Sequence, residues 1–301
     1  MYPAVNGKAR IAIIDHSPGN GHMFSFASLF NGYSIGKLSS CPFATIREYL
    51  PSYNLPREEL SQLGKVTQTW MQDPELNRDL KIFLDLPSNS MSWQDCIEDS
   101  DFVIITNDKP TISRKEKIVF ALSRNKEVFV DKVLAWKRSE IEDLITRQSF
   151  EGQLFAASGV AYAPCFQDVN ISENTSELLI EIPKSWELYG VHGIELVLRL
   201  LGEAGDSLYK VGSTVCGKET NVRLRTERLK NLSIKIRTTG KEQTQISITI
   251  VENDESRRIV MRDPLLGFNS MLEHWLTPDR RSFEVEKRRY LKVGEILGMV
   301  Q

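Results

Sequence analysis

The segment Asp15-His16-Ser17-Pro18-Gly19-Asn20-Gly21-His22 gathers polar side chains and glycines at one place in the chain. Residues 10–15 before it form a short apolar run of the buried-strand type, and residues 22–30 after it have the composition to open a helix. A strand, a glycine-bearing turn and a helix N-terminus suit a dinucleotide pyrophosphate. Glycine lets the backbone approach the phosphates, and the first helical N–H groups and the positive end of the helix dipole face them. The Gly-x-Gly-x-x-Gly spacing is imperfect, however. In a short loop Asp15 stands where the first glycine belongs, whereas a longer loop uses Gly19 and Gly21 with His22 at the helix start. The segment therefore reads either as a phosphate cradle built from Asp15, His16, Ser17, Gly19, Asn20, Gly21 and His22 or as a plain turn. No acidic residue lies between Asp15 and Glu48 to hold a ribose diol. That leans toward a ribose phosphate facing Lys37 or Arg47, or toward weak cofactor binding.

Other side chains invite chemistry and are set aside on context. Asp15, His16 and His22 have metal-binding groups but no matched third ligand elsewhere, so no metal is expected. Cys41, Cys96, Cys165 and Cys216 include no Cys-x-x-Cys pair, which fits a reducing compartment. Cys41 ahead of Pro42 has no identifiable base and reads as structural, and His274 beside Trp275 reads as packing or surface.

A length of 301 residues suits two domains, and 41% hydrophobic with 26% charged residues is ordinary globular composition, able to fold without staples. With 38 Lys and Arg against 40 Asp and Glu, the formal net charge is -2 and gives no field to hold a polyanion, so no nucleic-acid partner is expected. Arg223 and Arg225 alternate with Val222 and Leu224, as the solvated face of a strand does, and Arg228 and Lys230 continue that basic run. Residues 1–9 lack a signal pattern and residues 11–14 are too few to cross a bilayer, which predicts no membrane and a cytoplasmic protein.

The elements that must position the first loop follow from periodicity. Residues 101–106 and 127–130 repeat the buried-strand type, with Ile118, Val119 and Leu122 at helical spacing between them. Residues 65–71 predict another strand, and 74–86 and 139–148 predict helices, while 33–63, with Pro42, Pro51 and Pro56, reads as irregular. Alternating strands and helices imply right-handed crossovers and a parallel sheet. Residues 154–158 read as one more strand, and 178–182 alternate. Residues 192–201 place Ile194, Val197, Leu198 and Leu201 on one helical face, which stops at Gly202. Strands over 208–215, 221–226, 232–238 and 243–251, without helices between them, predict an open antiparallel sheet, and helix returns from Pro264, with a later stretch at 285–297.

The order of these landmarks resembles the Gfo/Idh/MocA oxidoreductases, the family of glucose-fructose oxidoreductase and inositol dehydrogenase. The Rossmann-type opening is followed by Asp-Phe-Val-Ile-Ile-Thr ending at Thr106, and then by a strand running into Asp131-Lys132-Val133-Leu134-Ala135, similar to the family's Glu-Lys-Pro-Leu-Ala. Residues 157–164 fall where the family has a short strand running to a proline. Gly190-Val191-His192-Gly193-Ile194-Glu195-Leu196 resembles its Gly-x-His-x-x-Asp-Leu helix start. The resemblance implies an α/β Rossmann domain with a parallel sheet over residues 1–135. An α+β domain with an open, mainly antiparallel sheet follows over 136–301, its C-terminal helices available to pack back on the first domain. It implies NAD or NADP as cofactor, contacted also by Thr106, Asn107, Asp131 and Lys132. Lys132 would be the acid/base or carbonyl-polarising group and His192 its partner from the second domain, with Tyr162 and Tyr189 beside them on the substrate. A homodimer or homotetramer through the open sheet is implied too.

Two positions depart from that pattern. Val133 replaces the proline after the lysine, and Leu188 replaces an aspartate four residues before the histidine, with Glu187 or Tyr189 as substitutes. The leading expectation is hydride transfer between nicotinamide and a hydroxyl or keto carbon of a sugar, amino sugar, cyclitol or related polar metabolite. A catalytically silent sensor or partner protein of the same fold, and an imine reductase of specialised metabolism, are the alternatives.

Overall fold

A computed structural model describes residues 8–88, 91–277 and 282–300. The chain forms two units. The first comprises the described residues of Met1–Leu134, Asp143–Ala156 and Leu272–Phe283, and the second those of Ala135–Glu142, Ala157–Met271 and Glu284–Gln301. The chain thus first leaves unit 1 beside the expected boundary at Ala135, then returns to it twice.

Unit 1 begins with β1 (Ala9–Ile14), α1 (His22–Asn31), α2 (Ala44–Tyr49), α3 (Glu58–Leu63) and β2 (Gly64–Trp70). It continues through α4 (Pro74–Leu84), α5 (Trp93–Glu98), β3 (Phe102–Ile105), α6 (Ile112–Ser123) and β4 (Glu127–Asp131). After α7 (Arg138–Thr146), β5 (Leu154–Ala157) completes a five-stranded sheet of order β2-β1-β3-β4-β5, in which β1 pairs in parallel with both β2 and β3, and β3 with β4. A strand paired on both sides and covered on both faces must be apolar throughout, and Ile11 to Ile14 are fully buried. Helix starts are set by side chains: Asp73 accepts from the backbone of Glu75 and Leu76 ahead of α4, and Ser92 and Asp95 form a reciprocal capping box on α5. Trp275 is fully buried, its ring 5.6 Å from that of Phe129 and 5.4 Å from that of Phe102, and His274 lies 5.9 Å from Phe155, a packing role.

Unit 2 contains α8 (Pro164–Gln167), β6 (Thr175–Ile182), α9 (Trp186–Leu201), β7 (Leu208–Cys216), β8 (Glu219–Thr226), β9 (Ser233–Thr238), β10 (Ser247–Glu252) and β11 (Glu255–Val260). α10 (Pro264–Leu276) and α11 (Phe283–Gly298) follow. Its sheet has six strands in the order β11-β10-β6-β9-β8-β7, with every neighbouring pair antiparallel except β6 with β9. Side chains alternate strictly on β9, with Ile234, Ile236 and Thr238 buried on one face. On the other, Lys235 pairs with Glu177 at 3.0 Å and Arg237 with Glu219 at 3.1 Å. α9 lies against the buried face because residue 193 is glycine: a Cβ there would come within 2.5 Å of Ile236.

Three expectations change. Residues 33–63 hold two short α-helices and two 3-10 turns, not irregular chain. α9 starts at Trp186, ahead of His192, because Trp186, Gly190 and Val191 extend its buried face. β11, which the sequence did not signal, forms the sheet's edge beside β10.

Candidate active site

The carboxyl ends of β1, β3 and β4 lie side by side, and their last residues carry the polar groups of unit 1. β1 runs into Asp15, whose backbone N–H still donates to Trp70 O at 2.8 Å and whose φ of 65° is the left-handed conformation a glycine would take there. Its carboxylate turns inward, 3.3 Å from Lys117 Nζ, with both side chains almost wholly buried. Lys117 in turn lies 5.3 Å from the ring centre of Trp70 and 5.9 Å from that of Trp93. Asp15 therefore latches the loop to α6. Pro18 and Gly19 are the central residues of a tight turn closed by Asn20 N–H on Ser17 O at 3.0 Å, and the Gly19 φ of 82° is what a type II turn requires at that position.

The two glycines serve different ends. A Cβ on Gly19 would have no atom within 4 Å, so the turn is open above it, whereas a Cβ on Gly21 would come within 2.5 Å of Ile46 and 2.8 Å of Phe43. Gly21 is a packing glycine. Asn20 Nδ2 donates to Thr106 O at 2.9 Å and to Asp131 Oδ2 at 3.0 Å, and its Oδ1 accepts from His22 N–H at 2.9 Å. His22 Nδ1 lies 2.7 Å from the same Asp131 oxygen. Burial acts to raise the Asp131 carboxyl, but His22, Lys132 and Asn20 outweigh it and hold it down at about 2. The sign of the pH dependence follows. This carboxylate's contribution to stability, of order 2 kcal/mol, is complete above the ordinary Asp range and is lost as pH falls from about 4 toward 2. The Asp131→Asn variant is expected to lose less stability than the native chain between pH 5 and pH 2.5, measured by urea midpoints. Parallel midpoint curves would reject the assignment.

Lys132, 5% exposed, follows Asp131, and its Nζ is 3.3 Å from Asp108 Oδ2. Ser17 Oγ donates to the other Asp108 oxygen. One network thus joins the Gly19 turn, the end of β3 and the end of β4. Thr106 Oγ1 donates to Asp15 O, and Asn107 Nδ2 donates to Asp15 Oδ2 at 3.3 Å, so these two hold the loop and not open space. Arg114, fully buried on α6, donates to Asn107 O at 2.9 Å, Val133 O at 2.7 Å and Leu134 O at 2.5 Å, fixing the segment after Lys132.

His192 in unit 2 is buried on α9, its Nδ1 2.5 Å from Ser158 Oγ, which also accepts from Val160 N–H at 3.2 Å. Glu195 Oε2 accepts from Ser158 N–H at 2.6 Å and lies 2.9 Å from Arg289 Nη1. Burial pushes the Glu195 carboxyl up, and Arg289 pulls it back. Tyr189 meets His192 edge to face at 4.8 Å. The Tyr162 ring lies 4.2 Å from the guanidinium carbon of Arg199, about two turns further along α9 than His192. Leu188, at the departed aspartate position, is 44% exposed.

The residues of unit 1 fit a dinucleotide at one end. In favour, the open Gly19 turn precedes the α1 N-terminus, and His16 Nδ1 is buried with no hydrogen-bond partner among the described residues. Against, β2 ends at Trp70 and the nearest acid beyond it, Asp73, is used as the α4 cap. Lys37 is paired with Asp85, and Arg47 donates to Cys41 O at 2.6 Å. The phosphate end fits, and a ribose-diol carboxylate is missing at its physical place as well as in the sequence interval. No group of three or more metal-ligating side chains occurs among the described residues, and no described helix is long and apolar enough to cross a membrane.

Strand-end position was the signal that could have found Asp108, after β3, and Ser158, after β5. Arg114 and Lys117 gave no signal, since charges on a helix ordinarily read as solvated.

No family model and no curated protein sequence matches the chain. Solved structures do match its fold. A dehydrogenase from Clostridium difficile is 14% identical with a TM-score of 0.66, over 97% of this chain and 98% of that one. A Gfo/Idh/MocA family oxidoreductase from Vibrio cholerae is 14% identical with a TM-score of 0.64, over 97% of each. A variant of a 3-ketoreductase from Actinomadura kijaniata, in complex with TDP-benzene and NADP, is 13% identical with a TM-score of 0.66, over 97% of this chain and 96% of that one. At such identities the likeness is one of fold, and the parallel Rossmann-type sheet and the mainly antiparallel second sheet expected from the sequence are the ones the chain has, with β6 and β9 the one parallel pair in the second.

Proposed function

We propose that the chain is an NAD(P)-dependent oxidoreductase acting on a hydroxyl or keto carbon of a sugar-like polar metabolite. The observation that carries this reading is Lys132, a nearly buried ammonium paired with Asp108 at the carboxyl end of a parallel strand, in one hydrogen-bonded network with an open glycine turn. The structural neighbour in complex with NADP, a 3-ketoreductase, supports the cofactor and the substrate class by fold analogy.

The Gly19 turn, His16 and the α1 N-terminus would hold the diphosphate of the cofactor, which when bound supplies or accepts the hydride. Lys132 Nζ gives a proton to the carbonyl oxygen in reduction and takes it from the hydroxyl in oxidation. Asp108 keeps that ammonium in place and balances its charge. In unit 2, Ser158 Oγ fixes the His192 ring through its Nδ1.

The test is calorimetric titration with NADH and with NADPH, on the native chain and on Gly19→Val. A β-branched side chain at positive φ forces the turn to rearrange, so binding is expected to weaken by about tenfold or more while the melting temperature falls by only a few degrees. Gly21→Val is unsuitable, since it strikes Ile46 and Phe43. No binding of either cofactor removes the proposal. Binding without turnover across a polyol and keto-sugar panel favours the silent-sensor reading, for which the missing ribose acid and the exposed Leu188 speak.

A further inference from the structure

Unit 2 holds a cavity of about 700 Å³ that His192 does not line. Its size falls in the range of small-molecule sites. Its walls include the apolar side chains of Phe166 and Leu198, and its lining includes the buried Tyr162 and Glu195 and the partly buried Arg289, together with Arg199. The other cations named here are already paired within the protein: Arg289 lies against both Glu195 and Glu286, Arg288 against Asp206, and Lys292 against Glu295. Arg199 is different. It is exposed, lies over the Tyr162 ring, and makes no ion pair among the described residues.

We propose that this cavity binds a small monoanion with an apolar body, its charge on Arg199 and its body between Tyr162, Phe166 and Leu198, and that occupancy is felt at His192. Apolar walls with one guanidinium outside any ion pair at the edge select for that chemistry: a neutral apolar molecule leaves Arg199 without an anion in contact, and a polyanion meets the carboxylates beside it. The route to His192 is a line of contacts wholly within unit 2. Arg289 and Glu195 line the chamber; Glu195 accepts the Ser158 N–H, and Ser158 Oγ holds His192 Nδ1. Any ligand that shifts Arg289 alters the pull on Glu195, and so the seat of the imidazole. Binding at this chamber is independent of the oxidoreductase reading; only the consequence for catalysis rests on it.

The probe is 8-anilinonaphthalene-1-sulfonate, an aromatic monoanion whose fluorescence rises in apolar surroundings. The full chain should bind it saturably at one site in the presence of excess NADH, and Arg199→Glu, an exposed change, should weaken that binding by about tenfold or more. Leu198→Trp, which fills the chamber, should abolish it, with circular dichroism checking the fold. The chain has four histidines, so ¹⁵N-histidine spectra are sparse, and the His192 ring signals, assigned with His192→Asn, should move on titration with the probe. Absence of saturable binding, or binding that Arg199→Glu leaves unchanged, overturns the site. Binding that depends on Arg199 while the His192 ring signals stay still overturns the coupling.

Discussion

Lys132→Met lowers turnover by about 10²-fold or more, on whichever member of the keto-sugar panel the native protein reduces, while the dissociation constant for the reduced cofactor changes by less than about threefold. Methionine keeps the unbranched stem of the lysine and removes only the ammonium, so what is lost is the proton carried at Nζ. That ammonium is 3.3 Å from Asp108 Oδ2 and is one of the charges that depress Asp131, so it works between two carboxylates inside a nearly closed site. Its removal leaves Asp108 without a cation, and a Lys132→Met/Asp108→Asn double variant separates that electrostatic injury from loss of the proton donor. Steady-state kinetics of both variants decide the matter. Turnover within about threefold of native in Lys132→Met, or its recovery in the double variant, would falsify the acid/base role.

The parts of the fold that could be read from sequence are those in which burial and periodicity agree. β1, β3 and β4 are apolar runs because each is paired on both sides, and their alternation with helices carried the parallel sheet. β11 failed the same reading for a physical reason. It is an edge strand, paired only with β10, and its Glu255-Ser256-Arg257-Arg258 face water, so neither alternation nor an apolar run marks it; edge strands carry charge to discourage further pairing. Between Tyr33 and Leu63 the prolines suggested irregular chain, but they sit at or between helix ends, and each helix there is too short for periodicity to register.

The candidate site's residues could be named from the sequence, and the groups that hold them could not. Lys132 and His192 stood out by resemblance and position, but the partner of Lys132 is 24 residues back and that of His192 is 34 back, and no local pattern links them. The glycines of the motif have separate structural reasons. Gly21 is small to admit Phe43 and Ile46, and Asp15 serves a glycine's backbone conformation because its carboxylate finds Lys117 across the sheet edge. A fingerprint scored residue by residue treats such substitutions as losses of function, whereas the geometry shows the turn itself kept, with its open side at Gly19.

Arg114→Met is expected to destabilise unit 1 by about 3–5 kcal/mol, read as a fall in the urea midpoint, because a buried arginine that serves three backbone carbonyls leaves all three without their donor. The consequence extends to chemistry. Val133 and Leu134, whose carbonyls it holds, follow Lys132 directly, and Asn107, whose carbonyl it also holds, precedes Asp108; the one side chain therefore sets both members of the Lys132–Asp108 pair. Arg114 is a positioning residue, so in the folded fraction its loss lowers kcat by about tenfold with little change in KM, since a displaced proton donor weakens the transition state more than substrate binding. Arg114→Lys supplies one point charge in place of a planar fork and cannot reach three carbonyls at once, so it should recover part of the stability and little of the rate. A merely structural role would leave kcat native in both variants once folded.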